Sequence, residues 1–534
     1  MKGLILAASV LLLGAAPAPQ YDIVIRHGHI LDGAGNPWVA ADVAIKDGRI
    51  ARIGTVEGTG RKEIDATGLY VSPGFIDMMD QSGEVLLKSG AAENKLRMGV
   101  TTLIAGEGGT PVEAAKIPDY FAQLERQGIA LNFGTYYSPA QARVKVMGDG
   151  AGAPSAAQLE AIRREVALAM KAGVFGISSA LIYPPESFQS TDDLIAVAKE
   201  AGKCGGFYAT HMRDESSKIL SAIDEAIRIG EEGHVKVEIF HLKAAFQPLA
   251  GKLMPQALAR IEAARQRGVD IAADLYPYTA GGTGIDITIP TWVFADGQAK
   301  GWARLKDPQV RARLKRELAA GSQPGWSNLV EASGGWDHVV LANAFDPKYD
   351  AYDGQSFAAI GKTLGRDPAD IAWDIAAAAQ PNRAMALFFM MDEGDIELAL
   401  RQPWTSIGTD AAASAVFGGV DALGLPHPRA YGTFPRIIGL YARDRHVLTL
   451  PDAIRKMTSW PAMRMGLADR GVLREGLRAD IVLFDYAKVR DVADWAHPTA
   501  APVGIEDVIV NGVLAIENAR ANGSRSGMVL RHAC

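Results

Sequence analysis

The chain has 534 residues, 48% of them apolar, which is enough for a large core and more than one domain. Its formal net charge is −6 with no basic run, so nucleic-acid binding has no support. The two cysteines make neither a disulfide framework nor a thiolate zinc site; Cys204 reads as a packing residue and Cys534 as a frayed terminus.

Met1-Lys2 lead into the apolar stretch 3–16 and then Pro17-Ala18-Pro19. A basic start, a short apolar run and small residues after it read as a secretory signal over residues 1–18, with the mature protein exported to the periplasm. The run is short for a bilayer, so no stable membrane span is expected after cleavage. No cysteine follows it to carry a lipid anchor.

Asp22–Ile25, Asp42–Ile45 and Arg49–Ile53 alternate in strand fashion, with Asp47-Gly48 as a turn. Ala479–Asp485 and Val508–Gly512 do the same near the other end. Asp-Gly and Asn-Gly between apolar alternations are hairpin signals. Segments 20–70 and 460–520 are therefore expected to join as one discontinuous β-sandwich. His27-Gly-His29 has the spacing of a metal pair but lies in one of these strands, far from any strand end that gathers chemistry.

Between them, eight short runs read as strands: Tyr70–Asp77, Thr101–Gly108, Leu131–Tyr137, Gly173–Tyr183, Gly206–Arg213, Lys236–Lys243, Asp270–Tyr278 and Thr405–Ala412. Helix-like stretches such as Ser155–Ala172, Asp192–Gly202, Lys218–Glu232 and Pro255–Gly268 separate them. A strand plus a crossover helix takes about 30 residues, which matches this rhythm and predicts an α/β fold, a (β/α)₈ TIM-like barrel over 71–455. The stretch before the last strand is too long for one helix. It predicts a small insertion over 285–345, with Trp292, Trp302, Trp326 and Trp336 forming a core of their own.

Chemistry in such barrels gathers at the C-terminal ends of strands. His211, His241 and Asp410 fall at the ends of the fifth, sixth and eighth. Two imidazoles and a carboxylate are the parts of a metal-dependent hydrolytic site. Lys243, two residues after His241, points to the same side of its strand and suits a substrate carboxylate. Tyr183 and Tyr278 end the fourth and seventh strands and can line a pocket, or pack at its rim. Arg213 and Arg429 are further anion-binding candidates, although Arg213 has Asp214 and Glu215 as neighbours.

The motifs Gly48-Arg-Ile50, Pro73-Gly-Phe-Ile-Asp77, Gly99-Val-Thr-Thr102 and Gly476-Leu-Arg-Ala-Asp480 resemble the amidohydrolase superfamily. Ile182-Tyr-Pro-Pro185, Tyr208–Glu215, His241-Leu-Lys243 and His427–Arg436 are similar to its N-acyl-D-amino-acid deacylase branch. The resemblance implies zinc-dependent hydrolysis of the amide of an N-acyl amino acid, a small substrate carrying a carboxylate, with Asp410 as general acid and base. The chain departs from the pattern twice. Met79 and Gln81 stand where the family has a His-x-His pair, and a thioether and an amide are poor zinc ligands. Glu107 stands at or beside the place of the branch's cysteine ligand. The resemblance then implies one divalent metal ion, zinc, held by Glu107, His211 and His241. Other readings remain open: a cyclic-amide hydrolase of the hydantoinase or dihydroorotase kind, a dipeptide hydrolase, or a catalytically inactive periplasmic protein that binds a small molecule.

Overall fold

The computed structural model describes residues 20–414 and 426–534; the expected signal, 1–18, lies outside them. Eight short strands follow one another in parallel: β1 Phe75–Asp80, β2 Val100–Ala105, β3 Asn132–Thr135, β4 Gly176–Ala180, β5 Phe207–His211, β6 Lys236–Ile239, β7 Ile271–Leu275 and β8 Thr405–Ile407. β1 to β3 form one sheet, and β4 to β8 pair in sequence order in another. Two parallel bridges join these sheets, Tyr137 to Ile177 and Asp80 to Ala411, so the pairing returns from β8 to β1. The second junction is reinforced by Asp410 N–H on Met79 O, 2.9 Å, and Gln81 N–H on Ala411 O, 3.3 Å.

The crossover helices have local reasons to start and stop. Helix Ala156–Ala172 opens with a capping box between Ser155 and Gln158 and ends at Gly173, whose φ of 103° a side chain would strain. Helix Ile219–Gly233 buries Ile219, Ala222, Ile223, Ala226, Ile227 and Gly230, the 3.6-residue stripe that packs a helix on a sheet.

The expected first strand, Tyr70–Asp77, is divided. Tyr70–Pro73 pairs with Ile481–Phe484 in a different, nine-stranded sheet, whereas Phe75 onward pairs with β2. The chain crosses at Gly74, where a Cβ would lie 2.1 Å from Thr101 Oγ1. The nine-stranded sheet draws on both chain ends: Tyr21–Ile30 to Tyr70–Pro73 at one, Ile481–Phe484 to Arg520–Ala521 at the other. Its turns Asp47-Gly48 and Asn511-Gly512 have positive φ throughout and pack on each other, with room at Gly48 only for hydrogen. His27 and His29 serve this sheet: His27 contacts Asp65 and the His29 ring lies 4.0 Å from that of Trp38.

The insertion is larger than 285–345. Its antiparallel sheet has Met385–Phe389 as central strand between Ala280–Gly284 and Val339–Asn343, so the unit closes only after residue 385. It has its own core of Val293, Phe294, Leu305, Leu314 and Trp373, against which Trp292, Trp302 and Trp336 pack.

The cysteine expectation is overturned. Cys204 and Cys534 form a disulfide, with Cα atoms 4.6 Å apart across 330 residues of sequence. Sequence separation hid the pair, because the tail returns along the N-terminal side of the strands. Phe133 N–H donates to Met528 O, Leu530 N–H to Phe133 O, and His532 N–H to Gly173 O. Serine at both positions is expected to lower the free energy of unfolding by about 2–4 kcal/mol and to raise amide exchange over residues 527–533. Exchange unchanged from the native chain would mean that the backbone bonds alone hold the tail.

Candidate functional site

The C-terminal ends of the strands open on a cavity of about 620 Å³. Glu107 leaves the turn after β2, His211 is the last residue of β5, and His241 follows β6 by two residues. One ligand atom from each lies within 4.8 Å of the others. Glu107 Oε1 is 2.6 Å from His211 Nδ1 and 3.4 Å from His241 Nε2. Burial pushes the Glu107 carboxyl up, but hydrogen bonds and charge from both imidazoles outweigh it and hold the group well below the usual carboxylate range.

Behind the imidazoles stands Glu215, which the sequence reading passed over. Its Oε1 is 3.0 Å from His241 Nδ1, and its Oε2 is 3.2 Å from His211 Nε2 and 2.6 Å from Lys243 Nζ. Burial works against its charge, yet His211, Lys243 and His241 together hold it down at about 2. Burial and Lys243 both disfavour a charged His241, but the carboxylates of Glu215, Asp410 and Glu107 outweigh them and raise it. A fixed carboxylate behind an imidazole orients the ring and makes it a better donor to a metal. Only its place in the Thr-His-Met-Arg-Asp-Glu run could have flagged Glu215, since the strand ends at His211 and strand periodicity no longer applies.

Asp410 has the left-handed φ of 49°, just past β8. Its Oδ2 is 2.8 Å from Arg429 Nη1, and its Oδ1 is 3.2 Å from Gln81 Nε2. The same Gln81 nitrogen is 2.5 Å from Glu107 Oε2. Tyr183 lines the cavity with its hydroxyl 2.7 Å from Thr283 Oγ1 and its ring under Arg383. Lys243 and Arg429 also line it. Among the described residues Arg429 Nε makes no hydrogen bond.

Two expected contacts are corrected. Arg213 turns away: its guanidinium grips Glu225, Ser187 O and Gln189 O, because the chain past His211 bends towards helix Ile219–Gly233. Tyr278 lies behind the cavity wall, against His427 and Trp495 and beneath Arg436. β7 ends at Leu275, and Tyr276 lines the cavity in its place, its ring under Arg429.

Lys95 fixes the first and last strands at the site. Its ammonium is wholly buried and reaches Asp77 Oδ2 and Asp80 Oδ2, both at 2.8 Å, Thr409 Oγ1 at 2.5 Å and Ala411 O at 2.7 Å. Burial disfavours its charge, and the two carboxylates more than restore it. Methionine at 95 would leave two buried carboxylates without a counter-ion. It is expected to lower the free energy of unfolding by about 3–5 kcal/mol, read from the urea midpoint; an unmoved midpoint would show that water replaces the ammonium.

Glu186 accepts the Ala180 N–H at 2.5 Å at the end of β4. Burial pushes its carboxyl up to about 8, only partly countered by that bond. Its folded-state value thus lies above its unfolded one. The stability it contributes is whole below the ordinary carboxyl value of 4.5, is lost as pH rises from there to about 8, and changes no further above. Glu186→Gln is expected to flatten the fall in melting temperature between about pH 5 and pH 8 and to leave the value at pH 5 little changed; parallel curves for both proteins over that range would refute this.

A family model described as Amidohydrolase family matches residues 62–516. The chain belongs to the amidohydrolase family. Within it, the D-aminoacylase of Alcaligenes xylosoxydans xylosoxydans is 32% identical over 97% of this chain and 99% of its own. The N-acyl-D-aspartate deacylase of the same organism is also 32% identical, over 97% and 96%. The crystal structure of the N-acyl-D-glutamate deacylase of Bordetella bronchiseptica, complexed with zinc and a phosphonate mimic of the tetrahedral intermediate, superposes with a TM-score of 0.79 at 30% identity, covering 96% and 99%. This amidohydrolase therefore sits in the N-acyl-D-amino-acid deacylase branch.

Proposed function

We propose that this amidohydrolase hydrolyses the amide bond of N-acyl-D-amino acids, with one divalent ion, zinc, held by Glu107, His211 and His241. The convergence of these three side chains within 4.8 Å in the cavity carries the reading. Two imidazoles and one carboxylate are a known catalytic zinc set, and Glu107 supplies the charge that a thiolate would. The D configuration and the N-acyl group come from the relatives. The eight strands and their two bridging junctions support a closed (β/α)₈ barrel, with the cavity at its C-terminal mouth. The nine-stranded sheet, built from both expected segments, supports one discontinuous β-sandwich domain. The signal-like start and the Cys204–Cys534 disulfide support export to the periplasm.

When bound, the ion supplies Lewis-acid polarisation of the amide carbonyl and lowers the pKa of water. The rest is done by side chains. Asp410 stands at the rim with one oxygen on Gln81 and the other on Arg429, which leaves lone pairs free to accept a proton. It takes the proton of the attacking water, then gives it to the departing nitrogen as the C–N bond breaks. The products are a carboxylic acid and a free D-amino acid. Arg429, which lines the cavity and whose Nε makes no hydrogen bond among the described residues, holds the substrate carboxylate, and Tyr183 lines the same cavity. Lys243 holds Glu215 against the imidazoles and lends its charge to the same carboxylate.

Asp410→Asn is expected to keep the metal and the fold and to lose about 10²–10⁴ in kcat. Glu107→Gln, His211→Ala and His241→Ala should lose metal and activity together. A panel of N-acetyl-D- and L-amino acids, dipeptides and hydantoins, with metal measured on the same samples, checks both claims. Turnover of hydantoins or dipeptides alone would replace the deacylase reading. A metal-loaded chain that turns over none of them would point to a binding protein.

A further inference from the structure

Gln81 is placed between two carboxylates. It follows β1 directly, and its single side-chain nitrogen is 2.5 Å from Glu107 Oε2 and 3.2 Å from Asp410 Oδ1. The assignment of that nitrogen follows from chemistry. A primary amide has two N–H donors at one end and only acceptor lone pairs at the other, and both neighbours are acceptors. Each carboxylate uses its remaining oxygen elsewhere: Glu107 Oε1 faces His211 and His241, and Asp410 Oδ2 faces Arg429. The inner oxygens therefore face each other across one nitrogen.

Two partly buried carboxylates in this arrangement repel unless a donor or a cation lies between them. A cation held by both carboxylates would need the space that the amide nitrogen fills. The residues that flank the amide and Asp410 are anchored. Lys95 grips Asp80, immediately before Gln81, and also Thr409 and Ala411 on either side of Asp410. One ammonium thus holds residues on both sides of the gap, and the amide spans it.

We infer that the Gln81 amide closes the position of a second cation, which keeps Asp410 a free base and makes this a site for one ion even in excess metal. The inference rests on reading Glu107, His211 and His241 as the cation site. Gln81 is thus a positioning residue. It orients Glu107 so that Oε1 is presented to the imidazole side, and it keeps Asp410 out of metal coordination. Removing the amide leaves two facing carboxylates with an open space between them, which is a cation site; an imidazole at 81 would add a third ligand.

The test uses the full chain as native protein, Gln81→Ala and Gln81→His, each equilibrated with zinc buffered at rising free concentrations. Zinc per chain is measured by mass spectrometry, and folding is checked by thermal unfolding. Cobalt-loaded samples give an independent reading, since two neighbouring ions couple magnetically and one does not. The native chain is expected to level off at one ion. Gln81→His is expected to reach two, with coupled cobalt and with turnover falling as the second ion takes Asp410. Gln81→Ala is expected to show the same second ion more weakly. Should Gln81→Ala fail to fold, Gln81→Glu, which supplies a third carboxylate, replaces it with the same expectation. Folded variants that stay at one ion would overturn the inference, as would a native chain that takes two ions and loses one on Asp410→Asn. A native chain that binds no ion would overturn the one-ion reading and this inference together. One ion in the native chain and two in the variants, without turnover of any N-acyl-D-amino acid, would leave the inference standing and remove only the assigned substrate.

Discussion

An ammonium wholly out of water joins the first and last parallel strands of this protein. Lys95 donates to Asp77 and Asp80 from β1 and to Thr409 and the Ala411 carbonyl beyond β8. Isolated, each of these buried charges would cost several kcal/mol. Together they share one positive centre, and Thr409 adds its own bond to Asp77. The geometric result matters more for function than the stability. β8 is only three residues long, and Asp410 leaves it in a left-handed conformation that a side chain adopts reluctantly. Anchors on either side of Asp410 hold that conformation and aim its carboxylate into the cavity.

From Asp410 a row of alternating charges runs across the mouth: Arg429, Asp410, the neutral Gln81, Glu107, the two imidazoles, Glu215, Lys243. Each carboxylate has a donor or a cation on both sides. That order holds the Glu107 and Glu215 carboxyls below their ordinary values in a place where burial disfavours their charge. The row also sorts the basic groups. Lys243 is already committed to Glu215, whereas Arg429 has donor capacity left, because a planar guanidinium can serve Asp410 and an incoming carboxylate together.

The insertion supplies the rest of the cavity. Thr283, Ala342, Met385 and Leu387 from its sheet, and Arg383 just before the central strand, line the cavity, with Ala342, Met385 and Leu387 as apolar wall. Tyr183 is tied to it through Thr283 and Arg383. An apolar wall opposite a row of charges excludes water from one side of a bound amide, which strengthens every electrostatic contact on the other.

Much of this was legible from residue order. The βα rhythm located the eight strands to within a few residues, and Asp-Gly and Asn-Gly located the hairpins, because both signals are local. His211, His241 and Asp410 stood out because each ends an apolar run. Glu107 needed the resemblance, since a carboxylate in a glycine-rich turn carries no signal of its own. Where the chain leaves strand geometry, side-chain direction is no longer set by alternation. That is why Tyr278 and Arg213 were misplaced, while Tyr276 and Glu215 went unseen. Partners far apart in sequence were beyond reach for a different reason. The Cys204–Cys534 bond, the extension of the insertion to Met385–Phe389, Lys95 with Thr409, and Gln81 with Asp410 all depend on strand pairing that brings distant segments together. The sequence by itself determined which residues can bind a metal, move a proton or end a strand, because those are properties of side chains and short runs. Only the tertiary structure decided which of them meet, because closing β8 onto β1 sets distances between residues more than three hundred positions apart.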